Sequence, residues 1–290
     1  MIRRLAKPGR RDRRAAVRPL GRLVRFPGFS SSILETDRDI VVYLPPGYTE
    51  APQRRYPVLY IQDGQNLFDP QTAFIRGKHW RLGETAGKLI REGKVEPLVI
   101  VGVGHGRDKR IDEYTPTRDE RRKVGGKADL YGRFLLDELI PFVNSRFRTA
   151  GGAKATGLGG SSLGGLVSLY LALRNPETFG KVAVLSPSVW WDRNIIIRMV
   201  RSLPRRLDLM IWLDIGTEEG RLEVKRARLL RDALRAKGWR APRMRYLEAE
   251  GAVHDEAAWG ERAGDVLMFL FPSRPVLSRL LGLTKGDHRR

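Results

Sequence analysis

The chain has 290 residues, of which 41% are hydrophobic, and it contains no cysteine. This length and apolar fraction indicate one large or two small globular domains with a substantial core, and they exclude a disordered chain. Without cysteine, disulfides, thiolate zinc sites and a cysteine nucleophile are all excluded. The formal net charge is +21.

The positive charge is concentrated at the two ends. Residues 1–26 hold ten Arg or Lys residues against one Asp, and residues 273–290 hold five against one Asp. We interpret these ends as a basic, disordered N-terminal tail and a basic C-terminal tail around a single domain, residues 27–272. The tails either bind nucleic acid or an anionic surface weakly or are solvated segments, and charge runs of this kind favour the second interpretation.

No export signal or membrane anchor is visible. The charged start is not followed by the ~7–15 apolar residues of a signal peptide. No run approaches the ~18 apolar residues of a membrane span. We therefore expect a soluble protein in the cytoplasm.

Strand-like and helical segments alternate along the chain. A weakly alternating segment, 33–44, predicts an antiparallel strand, and short apolar runs predict buried strands at 57–61, 98–104, 154–158, 181–185, 209–215 and 244–247. Helical periodicity or composition predicts helices at 81–92, 128–147, after Ser162 as far as Asn175, 194–202, 219–237 and 254–270. Residues 106–128 are expected to form a long charged loop, which at this length is more often functional or mobile. The alternation predicts an α/β fold with a mostly parallel central sheet and helices on both faces.

A G-x-S-x-G pattern, residues 160–164, lies between a predicted strand and a predicted helix. A serine on such a sharp turn holds its hydroxyl clear of the sheet, and the flanking glycines let strand and helix pass closely. A serine hydroxyl is a poor nucleophile at neutral pH, so it needs an adjacent base that is itself oriented by a carboxylate. The pattern predicts Ser162 as a nucleophile.

The base and the acid follow from chain order, which on this kind of fold is serine, acid, histidine. His254 and His288 are the histidines that follow Ser162, and His288 lies two residues from the end of the sequence. We therefore predict His254 as the base, on the loop after the last predicted strand. Glu218 and Glu219 follow strand 209–215, and by position either could orient His254 while the other complements the helix dipole.

Two backbone N–H groups are expected to stabilise an oxyanion. One belongs to Leu163, directly after the serine, and the other to the turn that contains Gly64 and Gln65. Asp63 in that turn is interpreted as a residue that bonds nearby backbone, not as the catalytic acid. No metal or cofactor is expected, because the sequence has no paired histidine ligands, no complete dinucleotide motif and no P-loop.

Four motifs together carry a family resemblance: VLYIQDGQNLFD (58–69), RIDEYTP (110–116), GSSLGG (160–165) and LSPSVWW (185–191). With them the chain resembles the "Putative esterase" family of α/β hydrolases. That family includes enterochelin esterases, feruloyl and acetyl carbohydrate esterases, S-formylglutathione hydrolases and mycolyltransferases. The resemblance extends from about residue 40 to residue 271 and implies the α/β-hydrolase fold.

The resemblance also implies a chemistry. Ser162 would form an acyl-enzyme with His254 as the base, in a serine esterase. Glu219, rather than Glu218, would be the acid, and Gln65 would supply the second oxyanion N–H. The substrate would be a small-molecule, carbohydrate or siderophore-type ester.

Other residues are implied to lie near the serine. Trp80, Tyr114 and Trp191 would either shape the substrate pocket or pack in the core, and His105 would contact substrate. Two alternatives to the esterase remain open at this point. One is an acyltransferase with the same triad, and the other is a non-catalytic protein of this fold that binds anionic partners through its basic tails.

Overall fold

A computed structural model describes residues 20–273. Residues 1–19 and 274–290, which make up most of the two predicted basic tails, lie outside the described residues. The strands are β1 (Arg22–Ser31), β2 (Thr36–Leu44), β3 (Val58–Gln62), β4 (Val99–Val103), β5 (Arg118–Asp119), β6 (Val124–Gly125), β7 (Thr156–Ser161), β8 (Lys181–Leu185), β9 (Met210–Gly216) and β10 (Met244–Ala249). The α-helices are α1 (Leu82–Arg91), α2 (Arg110–Glu113), α3 (Ala128–Arg133), α4 (Ile140–Arg146), α5 (Leu163–Arg174), α6 (Trp191–Ser202), α7 (Arg221–Ala236) and α8 (Glu256–Leu270).

Eight strands form one central sheet in the order β1-β2-β4-β3-β7-β8-β9-β10. Within this sheet, β4, β3, β7, β8, β9 and β10 run parallel to one another, whereas β2 is antiparallel to both β4 and β1. The strands β5 and β6 form a separate antiparallel pair. The mostly parallel sheet predicted from the alternation of strands and helices is therefore confirmed. Because the parallel strands point the same way, the loops that follow β3, β7, β8, β9 and β10 meet at one edge of the sheet.

Strand residues alternate between two hydrophobic clusters on the two faces of the sheet. In β3, Val58 and Tyr60 belong to a cluster with α3 to α7, whereas Leu59 and Ile61 belong to a cluster with α1 and α8. This period of two follows from the geometry of a strand that is buried on both faces. The predicted coverage of both faces by helices is confirmed.

The first strand was not predicted. β1 begins at Arg22, so residues 22–26, which the sequence analysis assigned to the N-terminal tail, are part of the sheet. Phe26 and Phe29 of β1 pack edge-on against Phe142, with ring centroids 5.0 and 4.8 Å apart. The first residues of this edge strand, with exposed Arg22 and Arg25, continue the basic run of residues 1–26, and this run hid the apolar alternation.

The loop predicted at 106–128 contains short regular elements, α2 and the β5–β6 hairpin. It is fixed by a buried ion pair in which Arg38 donates two hydrogen bonds, of 3.1 and 3.0 Å, to Glu113. The helix predicted at 128–147 is observed as α3, a π-helical turn (Phe134–Leu139) and α4 in succession. Within residues 20–273, no helix combines the length and the apolar character that a bilayer crossing requires.

Candidate active site

Ser162 occupies the turn between β7 and α5, in a backbone conformation that L-residues rarely adopt, with φ 56° and ψ −123°. The flanking glycines are required by close approach. A Cβ atom on Gly160 would come within 2.8 Å of the carbonyl carbon of Gly164. The strand–serine–helix turn expected from the G-x-S-x-G pattern is therefore present, and the strain is stored at the serine itself.

The hydroxyl of Ser162 lies beside the loop after β8. Its Oγ is 3.2 Å from Oγ of Ser188, and the N–H of Ser188 donates a 3.0 Å hydrogen bond to the carbonyl oxygen of Ser162. Ser188 thus contacts both the side-chain hydroxyl and the backbone carbonyl of Ser162. The LSPSVWW segment contributes this contact, which was not anticipated from the sequence.

His254 and Glu219 form a close pair next to Ser162. Nδ1 of His254 lies 2.6 Å from Oε2 of Glu219. His254 precedes α8, and its side chain is 46% exposed, whereas that of Glu219 is 1% exposed. Glu218, the other candidate for the acid, is exposed. Of the two adjacent glutamates, Glu219 is thus the one that contacts the histidine.

The second carboxylate oxygen of Glu219 is held by the protein. Oε1 accepts hydrogen bonds from Oγ of Ser186 at 2.5 Å and from N–H of Gly216 at 2.8 Å. Burial by itself raises the pKa of Glu219, but the hydrogen bonds from His254, Ser186 and Gly216 outweigh it, so the pKa lies below its ordinary value. Glu219 therefore stays ionised and can orient an imidazole and stabilise an imidazolium.

Glu219 belongs to a larger buried network, here called the acid cluster: Glu219, Ser186, Arg262, Asp214 and Trp259. Nη2 of Arg262 donates to Oγ of Ser186 at 3.0 Å and to Oδ1 of Asp214 at 3.1 Å. Nε1 of Trp259 donates to the same serine oxygen at 2.9 Å. The Ser186 hydroxyl, which donates to Glu219, thus accepts two further hydrogen bonds, from Arg262 and Trp259.

Asp214 is the second carboxylate of the acid cluster and is fully buried. Burial raises its pKa above the ordinary value, although Arg262 and the 2.7 Å hydrogen bond from Trp212 both oppose that shift. The acid cluster was not predicted from the sequence. A signal was present, since Trp259 and Arg262 are one helical turn apart and Ser186 directly follows a predicted strand.

A second ion-pair network, here called the turn cluster, lies below the loop after β3: Asp63, Arg110 and Tyr114. Arg110 donates two 2.7 Å hydrogen bonds, one to each carboxylate oxygen of Asp63. Oη of Tyr114 accepts a 3.3 Å hydrogen bond from N–H of Asp63. The prediction that the Asp63 side chain bonds nearby backbone is therefore wrong, because an arginine 47 residues further along the chain takes both its oxygens.

The two predicted oxyanion donors lie in the first turns of helices. Leu163 is the first residue of α5, and Gln65 lies in a 3-10 turn (Gly64–Asn66) directly after β3. Backbone N–H groups in such first turns have no partner within their helix and are available to an anion. The carbonyl oxygen of Gln65 accepts a 2.7 Å hydrogen bond from Oγ1 of Thr72, which holds this turn in place.

Two cavities open beside Ser162, and both are lined by Ser162 and His254. The Gln65 cavity has a volume of about 320 Å³, and its other walls include Gln65, Phe74, His105, Arg110, Glu256 and Trp259. The Trp190 cavity has a volume of about 340 Å³, and its other walls include Leu163, Ser188, Trp190 and Glu223. Each cavity is thus bordered by one of the two predicted oxyanion donors. In the described part of the chain, no group of three or more His, Asp or Glu residues is arranged to hold a metal ion.

The predicted pocket aromatics are core residues instead. Trp80, Tyr114 and Trp191 are 4%, 0% and 1% exposed and line neither cavity. Trp80 packs against Trp259, with ring centroids 6.3 Å apart. Nε1 of Trp191 donates to the carbonyl oxygen of Thr117 at 2.9 Å. Their burial agrees with the alternative of core packing for all three.

Two other residues supply the polar and aromatic walls. Trp190, the neighbour of Trp191, lines the cavity that bears its name. His105 lines the Gln65 cavity, and its contact with substrate stays a prediction. Burial lowers the pKa of His105, and its Nδ1 accepts a 2.8 Å hydrogen bond from N–H of Arg107. A neutral imidazole that accepts at Nδ1 carries its proton on Nε2 and is a hydrogen-bond donor there.

The chain is similar in sequence to several known proteins, some of which are named as esterases. The chain is 26% identical to the uncharacterized protein YbbA of Bacillus subtilis, over 81% of this chain and 93% of that protein. It is 30% identical to an endo-1,4-beta-xylanase/feruloyl esterase of Xylanibacter ruminicola, over 75% of this chain and 27% of that protein. It is 27% identical to the ferri-bacillibactin esterase BesA of Bacillus subtilis, over 56% of this chain and 58% of that protein.

The fold is shared with a ferulic acid esterase of known structure. The TM-score is 0.69 at 19% sequence identity, over 87% of this chain and 98% of that chain. Residues 31–264 match the sequence profile of the Esterase family, which is described as "Putative esterase". The chain belongs to this family, has the α/β-hydrolase fold and is a hydrolase of carboxylic esters.

Proposed function

We propose that the protein is a serine esterase that works through an acyl-enzyme on Ser162. His254 accepts the proton of the Ser162 hydroxyl as the hydroxyl attacks the ester carbonyl, and it then donates that proton to the departing alcohol. Glu219 fixes the imidazole and stabilises its charged form. The observation that carries the proposal is the 2.6 Å contact between His254 Nδ1 and the buried Glu219, beside a serine on a strained turn.

The oxyanion of the tetrahedral intermediate is assigned to two N–H groups, those of Gln65 and Leu163. Their positions at helix first turns on either side of Ser162 support this assignment. Preorganised donors of this type are among the largest contributors to catalysis, because they need no reorganisation as charge develops. In the attacking state, Oγ of Ser162 exchanges its hydrogen bond with Ser188 for one with His254.

The substrate class follows the relatives and the site. Two relatives are named as a feruloyl esterase and a ferri-bacillibactin esterase, which supports a carbohydrate-linked or siderophore-type ester. The two cavities, of about 320 and 340 Å³, offer each half of such an ester a separate site. A contribution of the basic tails to binding anionic partners stays a prediction, because most of their residues lie outside the described part of the chain.

The test is a comparison of native protein with Ser162→Ala on ethyl butyrate and 4-nitrophenyl butyrate. We expect the substitution to lower kcat by at least about 10³-fold, as for other serine nucleophiles. Ser188→Ala removes a second hydroxyl from the same cavity and serves as the matched control, with kcat expected within about tenfold of the native value because one hydrogen bond is lost. Equal rates for native protein and Ser162→Ala would contradict the proposal.

Two further measurements separate the alternatives. Mass spectrometry of native protein quenched in acid should show a butyryl adduct on Ser162 that is absent from Ser162→Ala. Product analysis in the presence of added methanol distinguishes hydrolysis, which yields butyric acid, from acyl transfer, which yields mainly methyl butyrate. Predominant transfer would identify the enzyme as an acyltransferase with the same triad.

A further inference from the structure

Glu256 is a buried carboxyl group in the wall of the Gln65 cavity and has no role in the chemistry described above. The residue is 5% exposed. Its Oε1 accepts a 3.3 Å hydrogen bond from Nδ2 of Asn66. Its Oε2 is buried and has no hydrogen-bond partner among the described residues. Because an unsatisfied buried carboxyl oxygen is costly, such a group calls for a specific explanation.

Two common structural roles of a glutamate at this position, helix capping and ion pairing, are filled by other residues. Glu256 is the first residue of α8, where a carboxylate commonly caps the helix. Asp255 is the N-cap instead, and its Oδ1 accepts a 2.9 Å hydrogen bond from N–H of Ala258. The cation on the same cavity wall, Arg110, already donates to both oxygens of Asp63. Glu256 still complements the dipole of α8 as the acidic residue of its first turn, but neither helix capping nor ion pairing gives its Oε2 a partner.

We propose that Glu256 binds a hydroxyl group of the substrate, on the half of the ester that occupies the Gln65 cavity, and so selects hydroxylated esters over their deoxy counterparts. This inference rests on the proposed function, because it assigns a partner to a group next to Ser162 and His254. On substrate binding, the carboxyl group of Glu256 then turns its unpartnered oxygen, which is otherwise buried, toward the cavity and gains a hydrogen bond. An ester without the hydroxyl leaves it unsatisfied, which is the basis of strong discrimination by buried polar groups.

A hydroxyl fits this position better than an ammonium group. Burial raises the pKa of Glu256, and the negative charges of Asp255 and Asp63 add to this shift, whereas a hydrogen bond from its own backbone N–H and the charge of His254 oppose it. A hydroxyl can donate to an ionised carboxylate and accept from a protonated one, so it suits both forms. An ammonium group requires the ionised form and would share the cavity with the cationic walls Arg107 and Arg110.

The rest of the cavity is consistent with a short hydroxylated group. Phe74, Ile75 and Trp259 supply apolar walls, and Phe74 is held by a 2.8 Å hydrogen bond from its N–H to Oδ1 of Asn66. Asn66 thus links the apolar rim to Glu256. A volume of about 320 Å³ is at the small end of the range for ligand pockets, about 300–1,000 Å³. The hydroxyl is therefore expected within a few bonds of the ester carbonyl.

The experiment compares ethyl butyrate with three esters that each carry one added hydroxyl: ethyl 2-hydroxybutyrate, ethyl 3-hydroxybutyrate and 2-hydroxyethyl butyrate. Hydrolysis is followed by base uptake, and each kcat/KM is divided by the rate constant for alkaline hydrolysis of the same ester. In native protein, we expect at least one hydroxy ester to be preferred over ethyl butyrate by about tenfold, the effect of one good hydrogen bond. In Glu256→Leu the preference should fall to about onefold.

Two variants make the result specific. Glu256→Gln keeps the shape and hydrogen-bonding capacity and should retain part of the preference, which also decides the matter if Glu256→Leu does not fold. Glu218→Gln, at an exposed glutamate, should leave the preference unchanged. A native protein with no preference, or a preference that is undiminished in Glu256→Leu or in Glu256→Gln, overturns the inference. Ser162→Ala, assayed in parallel, tests the proposed function separately, because it abolishes hydrolysis of all four esters only if Ser162 is the nucleophile.

Discussion

The acid cluster and the turn cluster lie on opposite sides of Ser162 and are built from the same components, an arginine and a carboxylate in a largely buried setting. In the turn cluster, Arg110 takes both oxygens of Asp63 at 2.7 Å. In the acid cluster, Arg262 bonds Asp214 and stays 3.9 Å from Glu219, so one oxygen of Glu219 is left for His254. Both carboxylates are buried, so burial does not distinguish them. Asp63 has both oxygens bonded to Arg110 and fixes a loop, whereas Glu219 keeps one oxygen for His254 and is suited to chemistry.

The variant Glu219→Gln tests this difference between the two clusters most strongly. It removes the charge that orients His254 and stabilises its protonated form, so we expect kcat to fall by about 10³–10⁴-fold, with a much smaller change in KM. Steady-state kinetics on 4-nitrophenyl butyrate measures the effect. Glu218→Gln is the matched control and should keep native kcat. A tenfold loss or less in Glu219→Gln, or a comparable loss in Glu218→Gln, would show that the acid is misassigned.

The same variant has a pH signature in stability. The folded pKa of Glu219 is lowered, so its ionisation contributes stability that is fully present above the unfolded pKa of about 4.3 and is lost as the pH falls through the folded value. The difference in unfolding free energy between native protein and Glu219→Gln should therefore shrink as the pH is lowered below about 4.3. Urea unfolding across that range measures it, and a difference that grows on acidification would contradict the sign.

The next largest effect is expected from Arg262→Met, and it should appear mainly in stability. Removal of the cation leaves the buried Asp214 without its charge partner, a change that typically costs about 3–5 kcal/mol of unfolding free energy. Urea unfolding at neutral pH is the measurement. The double variant Arg262→Met, Asp214→Asn should recover much of the loss, because the uncompensated charge is gone. If the double variant is no more stable than the single one, the ion pair is not the source of the effect.

Asp63→Asn should have the smallest effect of the three. Arg110 is about a quarter exposed, so water can solvate it when its partner is lost. We expect a loss of about 1–3 kcal/mol in unfolding free energy and a fall in kcat of less than about tenfold, through displacement of Gln65. Asp69→Asn, which breaks an exposed pair with Arg25, is the control and should cost about 0–1 kcal/mol. A catalytic loss as large as that of Glu219→Gln would erase the distinction between the clusters.

The parts of the site that could be predicted are those encoded by chain order. The G-x-S-x-G turn and a histidine after the last strand are sequence patterns, and the structure brings Ser162 and His254 to the same two cavities. The choice of Glu219 over Glu218 needed the family resemblance, because adjacent residues in a loop are equivalent until the backbone sets which one turns inward.

The features that could not be predicted are of two kinds. Some are contacts between residues far apart in sequence, and others depend on which of two adjacent residues faces a cavity. Ser186, Asp214 and Arg262 come from three separate elements, and only the folded sheet brings them together. Trp190 lines the cavity in place of the predicted Trp191, and the reason lies in the local backbone. The backbone directly after Trp191 passes through three left-handed residues, 192–194, and no composition rule anticipates such a turn.

The position of Ser162 between two cavities has a kinetic consequence. In the proposed acyl-enzyme mechanism, the alcohol departs from a substrate bound across this boundary, so that one cavity empties while the acyl group still fills the other. The next molecule to enter the vacated space reaches the acyl carbonyl first, so the partition between products depends on competition for that space. The selectivity for the second reactant can therefore evolve in the walls of one cavity without any change in the residues that break the ester bond.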